Sequence, residues 1–378
     1  MKIAIDARYL MSDFTGIGVY SEQLLQALGR LDDHNEYVVL VHESYDRELV
    51  LPDNFTLVED PARPVSLRTL LSLSGTLREM KPDIVHSLMP LSPLLYKGKL
   101  VATVFDLQPL LDPDFTSMRP GWKRCAYDMF YRTSYARCLA HADYLICISY
   151  ATKNDVIRLF PEMADKILVI HAGIDTAASV EPEENHVERV RQKFNLPQRY
   201  LFYLGSTRPN KNLPMMLDAF EEFLRRHPDQ EDLHWVLVLN SDRFFDSFFA
   251  SVRQRGLLRR IQIHEQVTES QKKVFLQQAE LLYFVTRFEG FGLPVLEAQS
   301  IGTPVLGSDF GSIPEVAGHS ALLADPDSRD SIVAALEQFY YEPGLKDALI
   351  EAGRENLRRF SWDDAAKEIV DMYENLLS

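Results

Sequence analysis

The stretch LLYFVTRFEGFGLPVLEAQSIG, residues 281–302, runs from a strand through a glycine turn into a helix. LLYFVT is a continuous apolar run, the signature of a strand buried on both faces. Gly290 and Gly292 then break regularity, and Pro294 suits the first turn of a helix, where its missing N–H costs nothing. VLEAQSI continues that helix and Gly302 ends it. A strand that feeds directly into a helix is the unit from which parallel sheets are built.

The same alternation runs outward from this stretch, and it occurs twice. In the first half, KIAIDA, YVVLV, DIVHS, KLVATVF, DYLICIS and ILVI read as strands, with helices near 18–30, 66–80, 119–141 and 150–159. The polar, acidic segment DTAASVEPEENHV (175–187) is the linker candidate. Beyond it YLFYLGS, HWVLVLN, RIQIHE, LLYFVT, TPVLGS and ALLA restart the pattern. The expected class is α/β, with two doubly wound, Rossmann-like domains over 1–176 and 188–360 and a linker over 177–187. Ligands of such sheets sit outside the carboxyl ends of the strands, and two facing sheets make a cleft.

At the turn, the backbone amides of Phe291, Gly292 and Leu293 are expected to lack helical partners, which makes an anion site suited to phosphate. Glu289 and Glu297 flank it, yet carboxylates repel phosphate. They make sense as acceptors for hydroxyls on either side of a diphosphate, as in a nucleotide sugar. Two alternatives stand beside this reading. Both glutamates are solvated surface residues, or they are a glycoside-hydrolase pair, which needs a separation of ~5–9.5 Å. Eight residues of continuous helix would place them ~12 Å apart.

After YLFYLGS, Arg208 and Lys211 stand at the carboxyl end of a strand, where two cations can neutralise a diphosphate leaving group. The bland reading is a surface helix start at Lys211 and Asn212. Gly16 and Gly18 precede a helix and admit close approach of a backbone or phosphate, although Ser21 stands where a dinucleotide fingerprint has its third glycine. Asp106 ends the strand KLVATVF and either orients an acceptor and assists proton transfer, or caps the next segment. His86 reads as structural. The Asp-Pro-Asp triplets at 112–114 and 325–327 read as turns and caps rather than a metal site, and no metal or cofactor is expected.

The net charge of -15 excludes a nucleic-acid binder, which needs a basic footprint. Against that background residues 119–137 carry Arg119, Lys123, Arg124, Arg132 and Arg137 with Asp128 as the lone acid, interleaved with aromatics. Contact with anionic lipid is one reading, a core helix with cations along its rim the other. No signal peptide or membrane span is read, and three cysteines without ligand spacing suit a reduced, cytoplasmic setting, with peripheral attachment at the membrane's inner face as an option.

With these residues the chain resembles the retaining glycosyltransferases of family 4, most strongly from YLGSTRPNKNL (203–213) to SDFGSIPEVAG (308–318). EGFGLPVLE (289–297) matches that family's Glu-x7-Glu signature. The resemblance implies the two-domain GT-B fold. It assigns Glu289 to the donor sugar, Glu297 to the ribose, Arg208 and Lys211 to the diphosphate, and Gly16 and Gly18 to a glycine loop beside the phosphates. It also implies that HAGID (171–175) closes the first domain and that a final helix, 361–378, crosses back onto it. TGIGVY and SIPEVAG are most similar to bacterial polysaccharide mannosyl- or rhamnosyltransferases, which implies a nucleotide-diphosphate sugar donor and a glycan or lipid-linked glycan acceptor. The chain departs from the family at Phe105, where relatives often carry His before the Asp, and at Asn210, where Arg is frequent. Phe105 keeps open a non-catalytic partner or sugar-nucleotide binding module. A nucleotide-sugar epimerase is a further alternative, and a dehydrogenase, with its incomplete fingerprint, is the least favoured.

Overall fold

The computed structural model describes residues 1–11, 16–71, 73–93, 95–112, 115, 121–174, 184–240 and 242–378, with backbone alone at 122, 123 and 240. The chain divides into two compact units, Met1–Gly173 with Phe360–Ser378, and Ile174–Arg359. Of the expected linker 177–187, the part up to 183 lies outside the described residues, and 184–187 are helical, within Glu184–Phe194.

The first unit holds β1 (Lys2–Asp6), β2 (Glu36–His42), β3 (Phe55–Asp60), β4 (Ile84–Ser87), β5 (Lys99–Val104), β6 (Tyr144–Cys147) and β7 (Ile167–Val169). Their order is β3-β2-β1-β4-β5-β6-β7, and every neighbouring pair is parallel. The second holds β8 (Arg199–Ser206), β9 (Leu233–Asn240), β10 (Ile261–His264), β11 (Leu281–Phe284), β12 (Val305–Ser308) and β13 (Leu322–Ala324), in the parallel order β10-β9-β8-β11-β12-β13. Each sheet reverses its winding direction once, between β1 and β4 in the first and between β8 and β11 in the second. Those reversals are where adjacent connections diverge and leave room for a ligand.

The sequence reading missed β3. None of its residues is fully buried and it lies at an edge of the sheet, so it lacks the continuous apolar run of a central strand. The helix expected near 66–80 is described over Leu67–Leu71 and Leu73–Met80, with residue 72 outside the described residues.

The last helix, Trp362–Leu377, packs on the helix Gly16–Leu31 of the first unit, with the Tyr20 and Trp362 rings 5.2 Å apart. Gly173 permits the entry to this helix, since a Cβ there would stand 2.2 Å from the Trp362 nitrogen. In the second unit the core centres on the buried Trp235, packed by Phe220, Tyr283 and Phe248.

Candidate active site

The turn after β11 is fastened from two sides. The Asn210 carbonyl accepts the amides of Arg287 (2.8 Å) and Phe288 (3.3 Å), and Asn210 Nδ2 donates to the Phe288 carbonyl. From the other side the buried Ser312 shares its single O–H between the carbonyls of Glu289 (2.9 Å) and Phe291 (2.7 Å). Gly292 then takes φ 107° and ψ 44°, a left-handed conformation that strains any side chain, and a Cβ there would meet Ile313 at 2.6 Å. The helix Leu293–Ser300 follows with Pro294 in its first turn. Among the described residues no acceptor meets the N–H of Gly292 or Leu293. Phe291 buries its ring.

Both glutamates carry a lysine. Lys211 Nζ donates to Glu289 Oε1 (2.7 Å) and Oε2 (2.9 Å), and both side chains are largely buried. Lys272 Nζ lies 3.4 Å from Glu297 Oε1 and 2.7 Å from Glu269. The repulsion that two carboxylates would offer a phosphate is thus offset within the protein.

Lys211 ends the short turn Pro209–Lys211 that follows β8, so its pair with Glu289 bridges the ends of β8 and β11, at the reversal of the second sheet. Asn212 does stand at the start of a helix, Leu213–Arg226, but not at the surface. It is fully buried in the left-handed region (φ 60°), and its Nδ2 ties the carbonyls of Val285 (3.0 Å) and Pro326 (2.7 Å). Arg208 is exposed and has no side-chain partner among the described residues. Asn210, where the resemblance led to an arginine, holds the glutamate turn instead.

In the first unit, Gly16 begins the helix Gly16–Leu31 with open space where a Cβ would stand, and Gly18 is buried. Residues 12–15, ahead of it, lie outside the described set. Asp106 Oδ1 accepts the Gln108 amide at 2.9 Å, closing the turn into Gln108–Leu111. The Phe105 ring packs edge-on against Tyr20 at 4.9 Å. His86 is fully buried between the hydroxyls of Thr103 (2.9 Å) and Tyr373, and burial lowers its pKa to about 3.

Asp325 accepts the Asp327 amide and Ser328 caps the next helix, so this triplet does turn and cap work; 113 and 114 of the other triplet lie outside the described residues. The helix Gly121–His141 buries Tyr135, Cys138 and Leu139, while Met129 and Arg132 are exposed; 119 and 120 are outside the described set. No helix of the described residues is long and apolar enough to cross a membrane.

Two family models tile the sequence. The one described as Glycosyltransferase Family 4 matches residues 14–178, and the one described as Glycosyl transferases group 1 matches 185–356. The chain belongs to this family of glycosyltransferases. O-antigen chain mannosyltransferase B of Escherichia coli is 27% identical over 241 residues, covering 63% of this chain and 62% of that protein. The chain thus spans under two thirds of that relative's length. Sucrose-phosphate synthase of Thermosynechococcus elongatus superposes with TM-score 0.77 at 17% identity, covering 100% of this chain and 99% of that one. HepE of Anabaena, in a complex with UDP-glucose, gives TM-score 0.72 at 15% identity, covering 99% and 100%. These likenesses establish the GT-B fold.

Sequence reasoning missed Ser312, Asn212 and Lys272. Each acts on a residue far along the chain, and no local spacing marks such a contact. Ser312 and Asn212 are fully buried, where a polar side chain needs a partner, but that burial is a product of the fold and is not marked in the sequence.

Proposed function

We propose that the chain is a retaining hexosyltransferase that moves a mannose- or rhamnose-type sugar from a nucleotide-diphosphate donor to a glycan or lipid-linked glycan in polysaccharide biosynthesis. The observation that carries this reading is the pair of lysine-bearing glutamates flanking an uncapped helix start beside the reversal of the second sheet. The mannosyltransferase relative and the UDP-glucose complex of HepE support the donor class.

In this reading the amides of Phe291, Gly292 and Leu293, with Lys211 and Arg208, meet the diphosphate. Glu289 accepts from the transferred sugar and Glu297 from the ribose. The charge is met by protein groups, so no metal is called for. The acceptor hydroxyl attacks the anomeric carbon on the face from which the diphosphate leaves. The C–O bond to phosphate breaks, and the departing phosphate oxygen takes the acceptor's proton. Preorganised cations at that oxygen supply most of the rate. Asp106 is assigned the lesser role of orienting the acceptor. The basic helix face with exposed Arg132 and Met129 supports peripheral contact with anionic lipid on the cytoplasmic side.

A binding module is the second reading, favoured by one observation: Phe105 is packed on Tyr20 and offers no proton acceptor. Incubation with a panel of nucleotide sugars, scored for nucleoside diphosphate release with and without acceptor, decides between them. Acceptor-dependent release is expected. Tight donor binding without turnover would replace the transferase reading, and isomerised donor would indicate an epimerase.

A further inference from the structure

The helix Glu269–Gln277 opens on a closed capping box. Thr268 Oγ1 accepts the Gln271 amide (3.3 Å), and the Thr268 amide donates to Gln271 Oε1 (3.1 Å). Lys272 sits in this fixed first turn, where the helix dipole disfavours a cation and favours an acid such as Glu269. It is nonetheless largely buried, 17% exposed, and its ammonium sits between two carboxylates, Glu269 at 2.7 Å and Glu297 at 3.4 Å. Burial pulls its ammonium down, but the charges of Glu297 and Glu269 outweigh this and hold it above its ordinary value. The pairing leaves Glu297 asymmetric. Oε1 takes the lysine, whereas Oε2 is buried with no partner among the described residues. A buried carboxylate oxygen without a donor is costly unless something arrives to fill it.

We infer that Lys272 is a positioning residue for donor binding: it fixes Glu297 through Oε1 and offsets its charge, so that Oε2 faces a ribose hydroxyl beside the diphosphate. This rests on the ribose role proposed for Glu297. Lys272 touches neither the reacting carbon nor the leaving oxygen, so its effect belongs to nucleotide affinity and not to the chemical step.

The test measures calorimetric binding of UDP and GDP, each beside its 2′-deoxy and 3′-deoxy counterparts, with a thermal melt of every variant. The native protein is expected to prefer a ribonucleotide over one deoxy counterpart by about tenfold, the scale of a hydroxyl bonded to a charged acceptor. Glu297→Gln should erase that preference. Lys272→Met should erase most of it and weaken ribonucleotide binding about tenfold, with kcat nearly unchanged, and Lys272→Arg should restore both. If Glu297→Gln erases the preference and Lys272→Met leaves it intact, the positioning role is overturned while the ribose role stands. If Glu297→Gln leaves it intact, both fall together. A Lys272→Met protein that melts early, with Lys272→Arg restoring the melt but not the preference, would reduce Lys272 to a structural ion pair.

Discussion

The two sheets share one winding, yet the polar groups at their carboxyl edges meet different fates. In the first unit they are engaged by the protein itself. Arg8 is buried against Asp6 at 2.7 Å with Asp60 at 3.6 Å, His86 is closed between two hydroxyls, and Asp106 holds the turn at Gln108. In the second unit Lys211 and Glu289 answer each other, Glu297 keeps one oxygen without a partner, and Arg208 stands exposed. An ion pair can exchange partners when a diphosphate and a sugar hydroxyl arrive, whereas a buried hydrogen-bonded histidine cannot without unfolding its surroundings. Equal topology thus does not imply equal chemistry. On the proposed reading the second edge takes the ligand, while the first holds its sheet and last helix together.

The contrast is broken most forcefully at Lys211. Lys211→Met removes a charge from the leaving group and leaves Glu289 facing the diphosphate unpaired. The expected loss in kcat is about 10²- to 10³-fold, the scale for one preorganised donor to developing charge, measured as acceptor-dependent nucleotide release. Unchanged kinetics would remove Lys211 from the site. Glu289→Gln should cost less, about 1.5–3 kcal/mol of transition-state stabilisation, and should blur discrimination among donor sugars more than it weakens binding of the bare nucleoside diphosphate. Equal loss of both would move Glu289 away from the sugar.

What could be read from the sequence follows the same division. Central parallel strands are buried on both faces and appear as unbroken apolar runs, so β1 and β11 are plain, while β3, at an edge with Leu57 43% exposed, is not. Lys211, Glu289 and Glu297 stood out because they adjoin a strand end or a glycine turn. Lys272 and Ser312, which hold Glu297 and the turn at Glu289, did not. Lys272 acts across 25 positions and Ser312 across 21 to 23, and contacts of that reach come from tertiary packing rather than from local spacing. Asp106 marked itself as a strand-end carboxylate, but its bond to Gln108 was not distinguishable from an open one.

At the first edge the expected signature is stability, not rate. Burial lowers the His86 pKa to about 3, so between that value and about 6.5 the unfolded chain takes a proton that the folded chain refuses. Stability from this group is therefore complete above about pH 6.5 and is lost as pH falls, by about 1.4 kcal/mol per pH unit. Hydrogen exchange of the β4 amides, corrected for intrinsic rates, should show about 2 kcal/mol less protection at pH 5 than at pH 7. His86→Gln should begin lower and lose less over that range. A variant as steep as the native protein would place the proton elsewhere.

The smallest effect is expected at Asp106, where the contrast between the edges is thinnest. Its Oδ1 accepts the Gln108 amide at 2.9 Å, a bond an asparagine oxygen keeps. Asp106→Asn therefore removes the charge and leaves the turn. Loss of a general base would cost about 10²- to 10⁴-fold. Loss of a charge that only orients a hydroxyl costs about 1 kcal/mol, roughly fivefold. Because Phe105 is packed on Tyr20 and the departing phosphate is proposed to take the proton, the smaller figure is expected. It should appear in the KM for the acceptor, with kcat and donor binding unchanged. A kcat loss on the general-base scale would mean that the first edge carries chemistry too, and the difference between the two sheets would then be one of degree.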